Sequence, residues 1–171
     1  MFEGKKILIT GGTGSLGQAL TKRLLQSDVD TIRIFSRNEN KLVKMESEFA
    51  DDRLRFLIGD VRDLPRLIKA LEDVDIVYHA AALKHVPVIE YNPFEAIKTN
   101  VVGSQNVIDA CLHENVETAR EKYEEIINRA IEKTIQMLEE NKNNHPSSRG
   151  NDLLEFATTH LNKFKRPVKT K

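Results

Sequence analysis

Cysteine is nearly missing from this 171-residue sequence, which holds only Cys111. One thiol excludes an internal disulfide and a cysteine-built zinc cage, and no metal centre is expected. Charge of either sign is also lacking in excess, since 26 Lys and Arg balance 26 Asp and Glu. A dedicated nucleic-acid binder normally carries a basic surplus, so that class is disfavoured. No apolar run in the sequence approaches the ~20 residues that a membrane helix requires. Met1 to Lys6 leads straight into a strand-like segment with no apolar signal-peptide region. The expectation is a soluble, cytoplasmic protein with no nucleic-acid or membrane partner. A hydrophobic fraction of 40% beside 30% charged residues is enough for a packed core and excludes wholesale disorder.

Short apolar runs alternate with amphipathic stretches through the first two-thirds of the chain. Lys6 to Thr10, Thr31 to Ser36, Leu54 to Gly59 and Asp75 to His79 read as four strands. Leu16, Ala19, Leu20 and Leu24 recur at helical spacing, as do Leu42, Met45 and Phe49. Asp63 is a good N-cap for a helix bearing Leu67, Ile68 and Leu71, with Pro65 tolerated in its first turn. Asn92-Pro93 opens a longer helix whose apolar stripe is Phe94, Ile97, Val101, Ile108 and Leu112. Strand–helix alternation with short links predicts an α/β fold: about four parallel strands with helices on both faces.

The alternation stops near Thr118. A fifth strand is due there, but Thr118 to Glu121 has capping-box form. Tyr123, Ile127, Ala130, Ile131, Thr134 and Leu138 then mark an amphipathic helix, Asn141 to Gly150 a polar linker, and Leu153 to Phe164 a second helix. The expected division is a dinucleotide-binding domain over residues 1–118 and a divergent α-helical tail over 119–171. From Arg120 to Lys171, 11 basic against 8 acidic residues leave +3, too little to favour nucleic acid. The tail either covers apolar surface or meets a partner, and self-association of copies stays open.

The residues with the clearest chemistry are Thr10-Gly11-Gly12-Thr13-Gly14-Ser15-Leu16-Gly17, between the first strand and the first helix. Gly11 permits a tight turn, Gly14 lets backbone approach a pyrophosphate, and Gly17 lets the helix pack near the sheet. The helix N-terminus at Ser15 and Leu16 supplies free N–H groups and the positive end of the dipole. At the end of strand two an NAD site usually has an acidic residue for the ribose hydroxyl. This chain instead has Ser36-Arg37-Asn38, with Lys41 one turn on, which suits the 2′-phosphate of NADP. After strand three, the Asp60 side chain and the Val61 N–H can meet an adenine edge, although Asp60 reads equally as a turn residue. After strand four, Ala80-Ala81-Ala82 are small enough to lie against ribose and nicotinamide. Lys84, His85 and Glu90 are either solvated or face a substrate. His79 reads as a strand-end residue bonded to backbone, Cys111 as packing, and Asn100 as a mid-helix amide with an open functional role.

These blocks, with Asp51 to Phe56, Gly59-Asp60-Val61-Arg62-Asp63, Ala80 to Pro87 and Glu90 to Val101, resemble the extended short-chain dehydrogenase/reductases. The similarity runs from about Phe2 to Glu117 and is greatest to the UDP-N-acetylglucosamine 4,6-dehydratase branch of polysaccharide biosynthesis, in its N-terminal half. The resemblance implies a partial Rossmann fold and tightly held NADP. It implies an NADP-dependent lyase that oxidises a UDP-sugar at C4, loses water across C5–C6 and returns hydride to C6. It also places Lys84 beside the sugar nucleotide and gives Asn100 a part in setting the site geometry near the cofactor.

One departure is large. The family continues into a Ser/Thr-Asp-Lys segment and a Tyr-x-x-x-Lys helix, and neither appears in these 171 residues. No catalytic residue is therefore assigned. Two readings follow: a cofactor half of dehydratase ancestry that is catalytically incomplete, or a non-catalytic NADP-binding or scaffold module, as a natural truncation or a chimera.

Overall fold

The computed structural model describes residues 2–114 together with Glu132 and Gln136. The expected tail helices, the polar linker and the boundary near Thr118 lie outside the described residues. The described part groups into two compact units, residues 2–81 with 106–114, and residues 82–105.

In the first unit, four apolar runs become parallel strands: β1 (Lys6–Thr10), β2 (Thr31–Ser36), β3 (Leu54–Ile58) and β4 (Ile76–His79), in the order β3-β2-β1-β4. Lys6 lies opposite Thr31 and Ile7 opposite Ile76, so β1 is central and nearly sealed. Parallel neighbours need crossovers, which α1 (Ser15–Leu24), α2 (Glu39–Phe49) and α3 (Leu64–Leu71) supply. Because side chains alternate along a strand, Ile7 and Ile9 join Ile32, Ile34, Leu24, Leu42 and Met45 on one face. Leu8 and Phe35 join Leu67, Leu71, Val107 and Cys111 on the other. Ile7, Leu8 and Ile9 are wholly buried, each contributing about 1.5–3 kcal/mol before entropy costs.

Local chemistry sets the helix ends. The Asn38 side chain accepts from the Lys41 N–H at 2.9 Å and starts α2, and Asp63 does the same for Arg66 and α3 at 3.0 Å. Arg53 fastens the turn before β3. Its guanidinium donates to Asp51 and to the carbonyls of Ser27 (3.1 Å) and Leu25 (3.0 Å) beyond α1.

The second unit contains α4 (Val86–Tyr91), α5 (Pro93–Ile97), a π-helical turn (Lys98–Val102) and the start of α6 (Gly103–His113). α6 runs on into the first unit, where Val107, Ala110 and Cys111 are buried.

Four expectations are corrected in detail. β3 ends at Ile58 and β4 starts at Ile76, each one residue shorter than read. The buried face of α1 is Gly17, Thr21 and Leu24, while Leu16 and Ala19 are exposed. Thr21 hides its hydroxyl on the Gly17 carbonyl at 2.8 Å, so a residue that reads as polar faces the core. The long helix from Asn92 is interrupted by the π turn, whose wider i→i+5 spacing shifts the faces. Ala96, Thr99, Val101, Ser104, Val107 and Ile108 are therefore buried, whereas Phe94 and Leu112 are exposed. Finally, α4 is a helix in a stretch to which the strand and helix patterns assign no element.

Candidate cofactor site

The C-terminal ends of the four strands carry most of the residues singled out by sequence. Open α/β sheets bind ligands at this end, where loops leave the sheet for the helices. Gly11 has φ +65° and a Cβ there would lie 2.7 Å from the Ala80 oxygen and the Ala81 nitrogen. Only glycine can turn the chain so close to the end of β4. At Gly17 a Cβ would overlap the Gly12 backbone, so this glycine lets α1 pack against the turn that leaves β1. Gly14 is the N-cap of α1 and brings no capping side chain, and the first turn has no acidic residue. The N–H groups of Ser15, Leu16 and Gly17 are thus left without a side-chain cap at the positive end of the helix.

The end of β2 is tied to this turn. Thr13, buried and missing from the candidates read by sequence, shares a 2.9 Å hydrogen bond with the Ser36 hydroxyl. Its signal was its place inside the glycine run, where a residue with a hydroxyl can reach the neighbouring strand. Asn38, read as a cofactor residue, spends its side-chain oxygen on the α2 cap. Lys41 lies exposed in the first turn of α2.

Arg37 and Asp60 meet across the ends of β2 and β3, with Nη1 3.6 Å from Oδ2. Arg62, also unread as a site residue, holds that carboxylate more closely. Its Nε and Nη2 donate to Oδ2 at 2.9 and 2.6 Å, and its backbone N–H donates to Oδ1 at 3.0 Å. Burial works against the Asp60 charge, but the Arg62 hydrogen bonds and the charges of Arg62 and Arg37 outweigh it and hold the carboxyl below its usual range. Val61 is buried in the core, and its carbonyl accepts from Asn106 Nδ2 at 3.1 Å.

Ala80 and Ala81 follow β4, the Ala80 N–H donating to the Thr10 carbonyl at 3.0 Å. His79 bonds a side chain: its Nδ1 and the Thr10 hydroxyl are 2.6 Å apart. Burial lowers the His79 pKa to about 4, so the ring is neutral at pH 7. Burial likewise pushes the Cys111 thiol up to about 12, in keeping with packing.

In the second unit, Ala82 and Lys84 are exposed. Asn100 grips the backbone of Leu83 at both ends, its Oδ1 accepting from the N–H at 2.8 Å and its Nδ2 donating to the carbonyl at 2.9 Å. The adjacent Thr99 hydroxyl is buried and has no hydrogen-bond partner among the described residues.

Together, the turn, the uncapped helix end and the guanidinium beside it make a place for anions next to a cradle too narrow for side chains. That arrangement fits a dinucleotide. Among the described residues no group of three or more His, Cys, Asp or Glu could hold a metal, and no helix is long and apolar enough to cross a membrane.

Comparison with known proteins agrees with this geometry. A UDP-N-acetylglucosamine 4,6-dehydratase (inverting) of Campylobacter jejuni is 58% identical over 117 residues, covering 68% of this chain and 35% of that protein. A Methanocaldococcus jannaschii protein named uncharacterized membrane protein MJ1061 is 53% identical over 116 residues, with the same coverage of 68% and 35%. The chain thus spans about a third of the length of these curated relatives. The structure of DesIV, a dTDP-glucose 4,6-dehydratase from Streptomyces venezuelae with NAD and TYD bound, is similar with a TM-score of 0.58 and 30% identity, over 65% of this chain and 37% of that one. The family described as polysaccharide biosynthesis protein matches residues 7–119. With its Rossmann-type sheet and these relatives, the chain belongs to that family of extended short-chain dehydrogenase/reductases, in the branch that holds the UDP-N-acetylglucosamine 4,6-dehydratases.

Proposed function

We propose that this chain binds NADP and carries the cofactor-holding part of a UDP-N-acetylglucosamine 4,6-dehydratase. The observation that carries the reading is the glycine turn against an uncapped α1, with the half-exposed Arg37 at the end of β2. In this reading the N–H groups at Ser15, Leu16 and Gly17 receive the pyrophosphate. Ser36, Arg37 and the neighbouring backbone of Asn38, with Lys41, receive the 2′-phosphate. Asp60 and Val61 border the adenine, and Ala80, Ala81 and Ala82 lie along ribose and nicotinamide. Lys84 borders the UDP-sugar, and Asn100 fixes the backbone of Leu83 next to that lysine. NADP, if bound there, would supply the hydride acceptor and donor for redox chemistry on the sugar. The residues of this chain hold and orient; none is assigned the proton transfers.

None of Tyr78, Tyr91 and Tyr123 has a lysine four positions on, so these 171 residues do not carry a Tyr-x-x-x-Lys pair. General acid–base groups contribute about 10²–10⁴-fold each. The chain alone is therefore proposed to bind cofactor without turning over UDP-N-acetylglucosamine, as a cytoplasmic protein that engages neither nucleic acid nor membrane. Calorimetric titration with NADP and NAD tests the first part, and equal affinities would overturn the NADP assignment. Mass spectrometry for a 4-keto-6-deoxy product tests the second, and its formation by the pure chain would refute it.

A further inference from the structure

We propose that Arg62 sets the cofactor preference of this site by occupying Asp60 and so leaving the Arg37 guanidinium available to a 2′-phosphate. The inference rests on the NADP reading above and adds to it a residue that acts through Asp60.

The geometry is that of two cations competing for one carboxylate. Oδ2 of Asp60 already accepts two hydrogen bonds from the Arg62 guanidinium, at 2.9 and 2.6 Å. Arg37 Nη1 stands 3.6 Å from the same oxygen, inside ion-pair range and outside hydrogen-bond range. Arg37 is also the more open of the two, its side chain 49% exposed against 33% for Arg62. The arrangement leaves Arg37 attracted to this end of the sheet but not fastened there. Its five donors are still open to a phosphate fork.

Charge leads to the same result. A phosphate dianion beside an ionised Asp60 alone would be repelled. With Arg37 and Arg62 both present, the three side chains sum to +1. Removing Arg62 leaves Asp60 and Arg37 to neutralise each other, and Arg37 then closes on the carboxylate. A 2′-phosphate would have to break that pair and accept the carboxylate as a neighbour. NAD, whose ribose carries only a hydroxyl at that position, pays little of this penalty. The local turn survives the change, because the Asp60 Oδ1 contact at 3.0 Å comes from the backbone N–H of residue 62.

The test titrates the full chain and its Arg62→Gln, Asp60→Asn, Arg62→Gln/Asp60→Asn and Arg37→Ala variants with NADP, NAD, adenosine 2′,5′-bisphosphate and adenosine 5′-monophosphate. Thermal melts confirm that each variant is folded. Arg62→Gln is expected to lower NADP and bisphosphate affinity about tenfold, the size of one charge-assisted contact, with less than about a twofold effect on NAD and the monophosphate. Adding Asp60→Asn to Arg62→Gln is expected to restore most of the NADP:NAD ratio, because the competing carboxylate is gone. An unchanged ratio in Arg62→Gln, alongside a ratio that collapses in Arg37→Ala, would overturn this inference while leaving the NADP reading intact. A ratio near one in the unaltered chain, or one insensitive to Arg37→Ala, would remove both.

Discussion

At the scale of single residues, Arg37 and Gly17 make the most separable contributions. Among the described residues a 3.6 Å ion pair is all that holds Arg37, so Arg37→Ala should cost the fold little. It should weaken NADP by about 1.5–3 kcal/mol, or roughly 10- to 150-fold, and leave NAD within about twofold, as read by calorimetry with both cofactors. Gly17→Ala should act on the fold instead, because the added methyl meets the Gly12 backbone. A loss of about 1–3 kcal/mol of stability in chemical denaturation, with weakened binding of either dinucleotide, is the expected outcome. Residue identity alone disclosed the tight glycine turn, since no residue with a Cβ fits at Gly11 or Gly17. It did not disclose that Asn38 caps α2 or that Arg62 holds Asp60, because a polar side chain at a strand end has several partners within reach.

At the scale of elements, the strands were legible because a parallel strand covered on both faces is a short unbroken apolar run, as Ile7-Leu8-Ile9 is. Helix α2 was legible from its periodicity, and α3 from its periodicity and its Asp63 cap. α4 was not, because Val86, Val88 and Tyr91 are exposed and leave no inward stripe to detect. The π turn was not either, because one extra residue breaks the 3.6-residue period on which the reading depends. That turn carries Asn100, whose amide serves both backbone groups of Leu83. Asn100→Ala should leave the Leu83 N–H and carbonyl unpaired and cost about 1–3 kcal/mol. The same change should accelerate amide exchange at Leu83 relative to the strands. Exchange at Leu83 no faster than in the unaltered chain would show that the loop is held by something else.

At the scale of the whole molecule, acid acts on His79 and on the paired carboxylates, Asp51 among them, in separate windows. His79 titrates at about 4 in the fold against an ordinary 6.5, so below 6.5 the unfolded chain takes up a proton that the folded one refuses. Stability is complete above 6.5 and falls as pH drops toward 4, by at most about 3 kcal/mol. Denaturant melts between pH 7.5 and 4 should show that slope, and His79→Asn should flatten it. Asp51 works lower. The Arg53 hydrogen bonds bring it to about 2 from an ordinary 3.8, so its contribution is present above 3.8 and disappears as pH falls toward 2. Asp51→Asn should therefore be less stable than the unaltered chain near neutrality, and the difference should vanish in strong acid.

The Arg53 bridge also has a meaning in polymer terms. By donating to the carbonyls of Leu25 and Ser27, it joins points 28 and 26 residues apart in sequence, with all of β2 and α2 between them. It is a reversible cross-link that closes a loop, and loop length enters such a closure only logarithmically, each doubling costing about 0.6 kcal/mol. An insertion at an exposed point of that loop, such as the turn at Asp51-Asp52, would threaten the cross-link by displacing Asp51 rather than by lengthening the chain. One placed in the exposed link between β2 and α2, at Arg37-Asn38, would lengthen the loop and leave the cross-link's own atoms where they are.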